Sequence, residues 1–116
     1  SWLLPRMIGL ASANDLLFTS RIFMSEEAEK LGLVNRIVEN DQLIPEAIAY
    51  AKLMITNVSP NSLRETKRQI YSDLHRGVGE AVAESESLLN EMMKQEDYPE
   101  AISAFLEKRK PNWTGK

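Results

Sequence analysis

The run DQLIPEAIAYAKLMITNVSP, residues 41–60, decides the fold class. Ile44, Ala47, Ile48, Ala51, Met54, Ile55 and Val58 fall on one stripe of a 3.6-residue period, the pattern of an amphipathic helix. Ser59-Pro60 closes the run as an N-cap followed by an N1 proline, so a second helix should start there. That helix carries Leu63, Ile70, Tyr71 and Leu74 and stops at Arg76-Gly77. A third has the stripe Val78, Ala81, Val82, Ser85, Leu88, Leu89 and Met92, with Glu80, Glu84, Glu91 and Lys94 toward solvent. Asp97-Tyr98-Pro99 restarts the chain as a fourth helix ending near Arg109, because Pro111 cannot continue it.

Toward the N-terminus, Leu10, Ala13 and Leu17 recur at helical spacing. Ser25 reads as an N-cap, with Glu26 and Glu27 in the first turn of a short helix that Gly32 ends. The only β-rich run is Leu33–Val38, closed by the turn residues Asn40-Asp41, and Arg21-Ile22-Phe23 reads as a second, very short extended piece. A lone strand leaves backbone groups unpaired, so its neighbour is expected from outside the sequence. The expected class is therefore mainly α, with one or two very short strands, and residues 1–116 read as one domain or part of one. The start at Ser1, without an initiator methionine, points to a processed or excised chain.

Composition narrows the chemistry. A hydrophobic fraction of 43% and a charged fraction of 27% suit a soluble globular unit. The net charge of −3 opposes general affinity for nucleic acid or an anionic membrane surface. No apolar run reaches the roughly 20 residues of a membrane-spanning helix. The sequence has no cysteine and one histidine, so neither a disulfide framework nor a usual zinc site is expected; a cytoplasmic setting fits.

Three segments together resemble the enoyl-CoA hydratase/isomerase (crotonase) family. Residues 1–9, SWLLPRMIG, are similar to the stretch that follows that family's active-site loop. Phe18-Thr19-Ser20-Arg21, Ser25-Glu26-Glu27-Ala28 and Leu31–Asn35 resemble its "L-T-G-R…S-A-E-E-A…L-G-L-V-N" run. Residues 100–111, EAISAFLEKRKP, resemble its C-terminal signature. Ser20 and Ala101 stand where the family commonly has glycine; both are small, so local backbone adjustment is expected rather than a changed fold.

The resemblance implies the helical C-terminal region of a crotonase-like fold, whose preceding ββα spiral carries the active site. It implies an acyl-CoA substrate, with coenzyme A entering as part of that substrate, and a homo-oligomer that is a trimer or a dimer of trimers. The implied reaction is hydration of a 2-enoyl-CoA, with isomerisation or dehydration as close relatives. The family's two oxyanion N–H donors and two common glutamates lie upstream of the segment matched by Ser1–Gly9, so no catalytic residue is carried over and the chain alone is expected to be inactive. The alternative is a noncatalytic helical assembly module existing by itself.

Phe105 and Lys108 are the candidate site residues. Three apart on the expected final helix, they share a side, and the matching family residues can reach the adenine and phosphate end of CoA bound in a neighbouring subunit. A flat ring suits a purine and a flexible ammonium suits phosphate. The competing reading makes Phe105 ordinary core and Lys108 a helix-end cation. Other groups read as structural. Ser72 and His75 share a side but lack an oxyanion feature, Glu80 and Glu84 form a solvated polar face, and Glu65 and Asp73 interrupt the basic residues Arg64, Lys67, Arg68 and Arg76. Met54, Met92 and Met93 read as core or interface packing.

Overall fold

Seven helices make up the regular structure: α1 (Leu4–Ile8), α2 (Leu10–Thr19), α3 (Ser25–Lys30), α4 (Leu43–Asn57), α5 (Pro60–Asp73), α6 (Val78–Met92) and α7 (Asp97–Leu106). The computed structural model describes residues 1–116. The chain forms two units, Ser1–Pro45 and Glu46–Lys116, the division falling in the first turn of α4. The class is mainly α, as the helical periodicities require.

In the first unit, Gly9 separates α1 from α2. At φ 80, ψ 157 it occupies a region essentially reserved for glycine, and its N–H donates to the Pro5 carbonyl at 3.0 Å. The chain therefore turns sharply and lays α1 against α2, where Ala13 and Leu16 are buried. Helix α2 ends at Ser20, which takes the left-handed conformation itself (φ 49, ψ 28). Serine thus holds the backbone that glycine adopts most easily. Ala101 lies inside α7, where alanine is a better helix former than glycine.

Helix α3 begins one residue earlier than its sequence suggests. Met24 is the N-cap, and Ser25 is already helical, its Oγ donating to Glu26 Oε2 at 3.4 Å. Its far end forms a Schellman turn on Gly32 (φ 78), with Gly32 N–H to Glu29 O at 2.9 Å and Leu33 N–H to Ala28 O at 2.8 Å.

That turn also explains why the expected strand is missing. Residues 33–38 and 21–23 form no strand. The Ala28 carbonyl also accepts Val34 N–H at 3.4 Å, so the first donors of the run are bound before a ladder could start, and no second strand offers a partner. Arg21 is held by its side chain instead. Its guanidinium meets Asp15 Oδ2 at 2.8 Å and Glu27 Oε1 at 2.5 Å, linking the end of α2 to α3. Those bonds hold the Glu27 carboxyl below its usual range.

In the second unit the Ser59 cap forms as its sequence implies. Ser59 is extended (φ −62, ψ 145) and its Oγ accepts the Ser62 N–H at 3.1 Å, with Pro60 opening α5. Pro45 is tolerated in the first turn of α4 because an N–H there has no intrahelical acceptor. Helices α5 and α6 meet through polar groups: Gln69 Nε2 donates to Ser85 Oγ at 3.0 Å, and Arg68 reaches Glu84 at 2.6 Å.

The apolar stripes are mostly uncovered. No residue of α4 or α6 is buried, and Ile44 is 65% exposed. Met54 and Met93 are exposed as well, so neither is core of this chain.

Ser20→Gly is expected to stabilise the chain. The left-handed region costs an L-residue about 1–2 kcal/mol, of which the greater freedom of unfolded glycine returns roughly 0.5–1 kcal/mol. Thermal melting should show a modestly higher Tm, and a lower one would mean that Ser20 is unstrained.

Candidate functional site

Helix α7 carries both candidate residues, and its ends explain where they sit. Asp97, only 5% exposed, opens the helix, and its carboxylate binds the tail: Thr114 N–H and Oγ1 donate to Oδ1 at 2.7 and 3.0 Å, and Gly115 N–H donates to Oδ2 at 3.0 Å. The Asp97 N–H in turn donates to the Lys116 carbonyl at 3.2 Å. A buried carboxylate needs such donors, and successive backbone N–H groups supply them. Trp113 adds an anchor, its Nε1–H donating to the Thr56 carbonyl of α4 at 3.2 Å. The irregular tail is thereby pinned at several points.

At its other end α7 stops at Leu106, three residues before the end expected from sequence. Lys108 is therefore off the helix, at φ 55. It occupies the left-handed position of a second Schellman turn, with Lys108 N–H to Phe105 O at 3.3 Å and Arg109 N–H to Ala104 O at 3.0 Å. Phe105 and Lys108 therefore do not lie on one helical side, though their spacing suggests it. The two are joined by that turn instead, and both are exposed, Phe105 by 82%. Phe105 is not core of this chain; Ala104, its buried neighbour, is the packing residue.

Neither the helical nor the strand period brings together the groups that shape this turn. Arg109 donates from Nη1 and Nη2 to Glu100 Oε1 and Oε2 at 2.6 and 2.9 Å, and from Nε to Glu107 Oε2 at 2.6 Å. Glu100 Oε1 also accepts the Asn112 N–H at 2.6 Å. These bonds drop the Glu100 carboxyl to about 2, the Arg109 guanidinium being the largest cause. The available signal was a helix signature ending without glycine, which requires another device to hold the exit turn.

Other sequence candidates have structural partners. Glu84 binds Arg68 and Arg76, so it is an ion-pair partner between α5 and α6 rather than a freely solvated carboxylate. Glu65 takes Arg68 at 2.8 Å and Arg64 at 3.2 Å, and Asp73 takes Arg76 at 2.6 Å, so most of the basic run is neutralised locally. His75 is exposed in the turn after α5, its N–H on the Ser72 carbonyl. A cleft of ≈ 180 Å³ is lined by Val58, Ser59, Met92, Tyr98, Asp97 and Trp113 among others, but its carboxylate is already engaged by the tail. A second hollow of ≈ 200 Å³, within the first unit, is bordered by Ala28, Val34, Ile37, Val38 and Leu43 with a few polar residues.

Comparison with known proteins gives the whole chain one relationship. Residues 1–116 match the profile of the enoyl-CoA hydratase/isomerase family. A probable enoyl-CoA hydratase of Mycobacterium leprae is 36% identical over 111 residues, covering 96% of this chain and 43% of that protein. A short-chain-enoyl-CoA hydratase of Clostridium acetobutylicum is 32% identical over 107 residues, covering 92% and 41%. Among solved structures, a probable enoyl-CoA hydratase/isomerase from Mycobacterium abscessus superposes with a TM-score of 0.93 at 32% identity, covering 99% of this chain and 45% of that one. The chain thus spans less than half the length of these proteins.

The Glu100 bonds generate a pH prediction. Its folded pKa of about 2 lies below the ordinary 4.5, so its contribution is complete above pH 4.5 and is lost as pH falls toward 2. The Tm difference between the natural chain and Glu100→Gln, present at neutral pH, should shrink over that window. A difference independent of pH would show that the carboxylate charge is irrelevant.

Proposed function

The chain belongs to the enoyl-CoA hydratase/isomerase family, and on that footing we propose that it is the helical C-terminal part of an enzyme that hydrates a 2-enoyl-CoA. The observation that carries the reading is the match of all 116 residues to that family, together with relatives named as hydratases at 32–36% identity. In hydration the oxygen of water bonds to the β-carbon and a proton reaches the α-carbon. The thioester oxygen gains negative charge on the way, so preorganised N–H donors and a positioned acid and base are required. No residue of this chain is assigned to those roles. Isomerisation and dehydration use the same enolate logic and are the nearest other reactions, in fatty-acid or related acyl-CoA metabolism.

This segment's own tasks would be assembly and completion of the CoA site. The uncovered stripes of α4 and α6 favour burial against further protein, since soluble monomers rarely leave large apolar patches open. A homo-oligomer, as a trimer or a dimer of trimers, would supply part of that cover. Exposed Phe105 would meet the adenine and Lys108 a phosphate of CoA bound in a neighbouring subunit. A cytoplasmic setting fits a cysteine-free sequence.

Three measurements test this reading. The purified 116-residue chain should leave crotonyl-CoA unhydrated and should self-associate in sedimentation; a rate well above background, or a stable monomer at micromolar concentration, would overturn the corresponding part. In the complete enzyme, Lys108→Ala should raise KM for the CoA thioester several-fold, more so at low salt, with kcat little changed, because a remote phosphate contact is mostly uniform binding. An unchanged KM with a lower Tm would make Lys108 structural.

A further inference from the structure

Lys108 holds a backbone conformation that a side chain with a Cβ seldom takes, and the densest ion pairing of the second unit's C-terminal end surrounds it without including it. At φ 55 it stands where a helix exit ordinarily has glycine. The two Schellman hydrogen bonds would serve a glycine equally well, so they do not account for a lysine in this position. Arg109 supplies a further restraint. Its guanidinium engages Glu107 Oε2 at 2.6 Å on the residue before Lys108, the Lys110 carbonyl at 3.2 Å on the residue after Arg109, and both oxygens of Glu100 two turns back on α7. Segments on both sides of Lys108 are thereby tied to one rigid, planar group. The same contacts have an electrostatic effect. Glu100 and Glu107, the carboxylates that a lysine at this helix end would otherwise attract, are both committed to Arg109.

We propose that Arg109 is the positioning residue of the CoA-binding turn: by clamping Glu100 and Glu107 it holds Lys108 in its left-handed conformation and keeps the ammonium available to an anionic phosphate. The inference rests on the CoA contact proposed for Lys108. A planar fork is essential to it, since a lysine at position 109 keeps the charge but cannot bridge two carboxylates bidentately.

The test is a set of variants in the complete enzyme, assayed with crotonyl-CoA: Lys108→Ala, Arg109→Met, Arg109→Lys and the double variant Lys108→Ala with Arg109→Met. Arg109→Met and Arg109→Lys should each raise KM several-fold with kcat hardly moved, and Arg109→Met should add nothing to KM once Lys108 is alanine. Additive effects would overturn the proposal, as would wild-type KM in either Arg109 variant while Lys108→Ala is impaired. If Lys108→Ala itself leaves KM unchanged, the CoA contact fails, and with it the binding role of Arg109. Amide exchange at Lys108, expected to accelerate in Arg109→Met, then still decides whether the clamp holds the turn. Should Arg109→Met not fold, Glu107→Gln, which weakens one arm of the clamp, is read in the same way.

Discussion

Apolar burial is scarce in this chain, and its architecture follows from that constraint. The buried hydrophobic residues are Ala13, Leu16, Ala28 and Ala104, three of them too small to remove much surface from water. The large side chains that give the helices their periodicity lie mostly on uncovered faces. Helical stability in proteins comes chiefly from packing an amphipathic face, and along α4 no residue of the stripe is buried.

What the chain does determine for itself lies at the helix ends. Ser59 caps α5, Gly32 and Lys108 close Schellman turns, and Asp97 gathers the tail. An arginine joined to two carboxylates recurs just past the C-terminal ends of α2, α5 and α7: Arg21 with Asp15 and Glu27, Arg76 with Asp73 and Glu84, Arg109 with Glu100 and Glu107. Exposed ion pairs add little stability individually. Their use here is directional, because a bidentate guanidinium fixes where the backbone goes after the last helical hydrogen bond.

This division explains what could be read from the residues. Periodicity gave the long helices, and the side-chain chemistry of Ser59-Pro60 gave a boundary, since both act within a few residues of chain. The strand expected at Leu33–Val38 failed because β propensity describes readiness to pair, and the Schellman turn of α3 had already taken the donors of Leu33 and Val34. The Phe105 and Lys108 pair failed as a helical pair because the exit of α7 depends on Arg109 reaching back to Glu100, a nine-residue relationship that neither the helical nor the strand period contains. Ser20 shows the converse. Its replacement of a common glycine was legible, but the left-handed backbone it retains was not, since sequence alone does not reveal when a strained conformation is kept.

The two tryptophans fall one to each unit. Trp2 lies under the Arg6 guanidinium, 4.3 Å from its carbon to the ring centroid, while Trp113 is hydrogen-bonded to the α4 backbone. Indole emission depends on such surroundings, one ring beside a cation at a short N-terminal helix, the other tethered where the tail crosses back. Each unit therefore contains its own optical reporter. Substituting either tryptophan by phenylalanine leaves a chain whose remaining indole emission, excited beyond the tyrosine absorption, follows one unit alone, so cooperative and independent melting of the halves can be told apart without an added label.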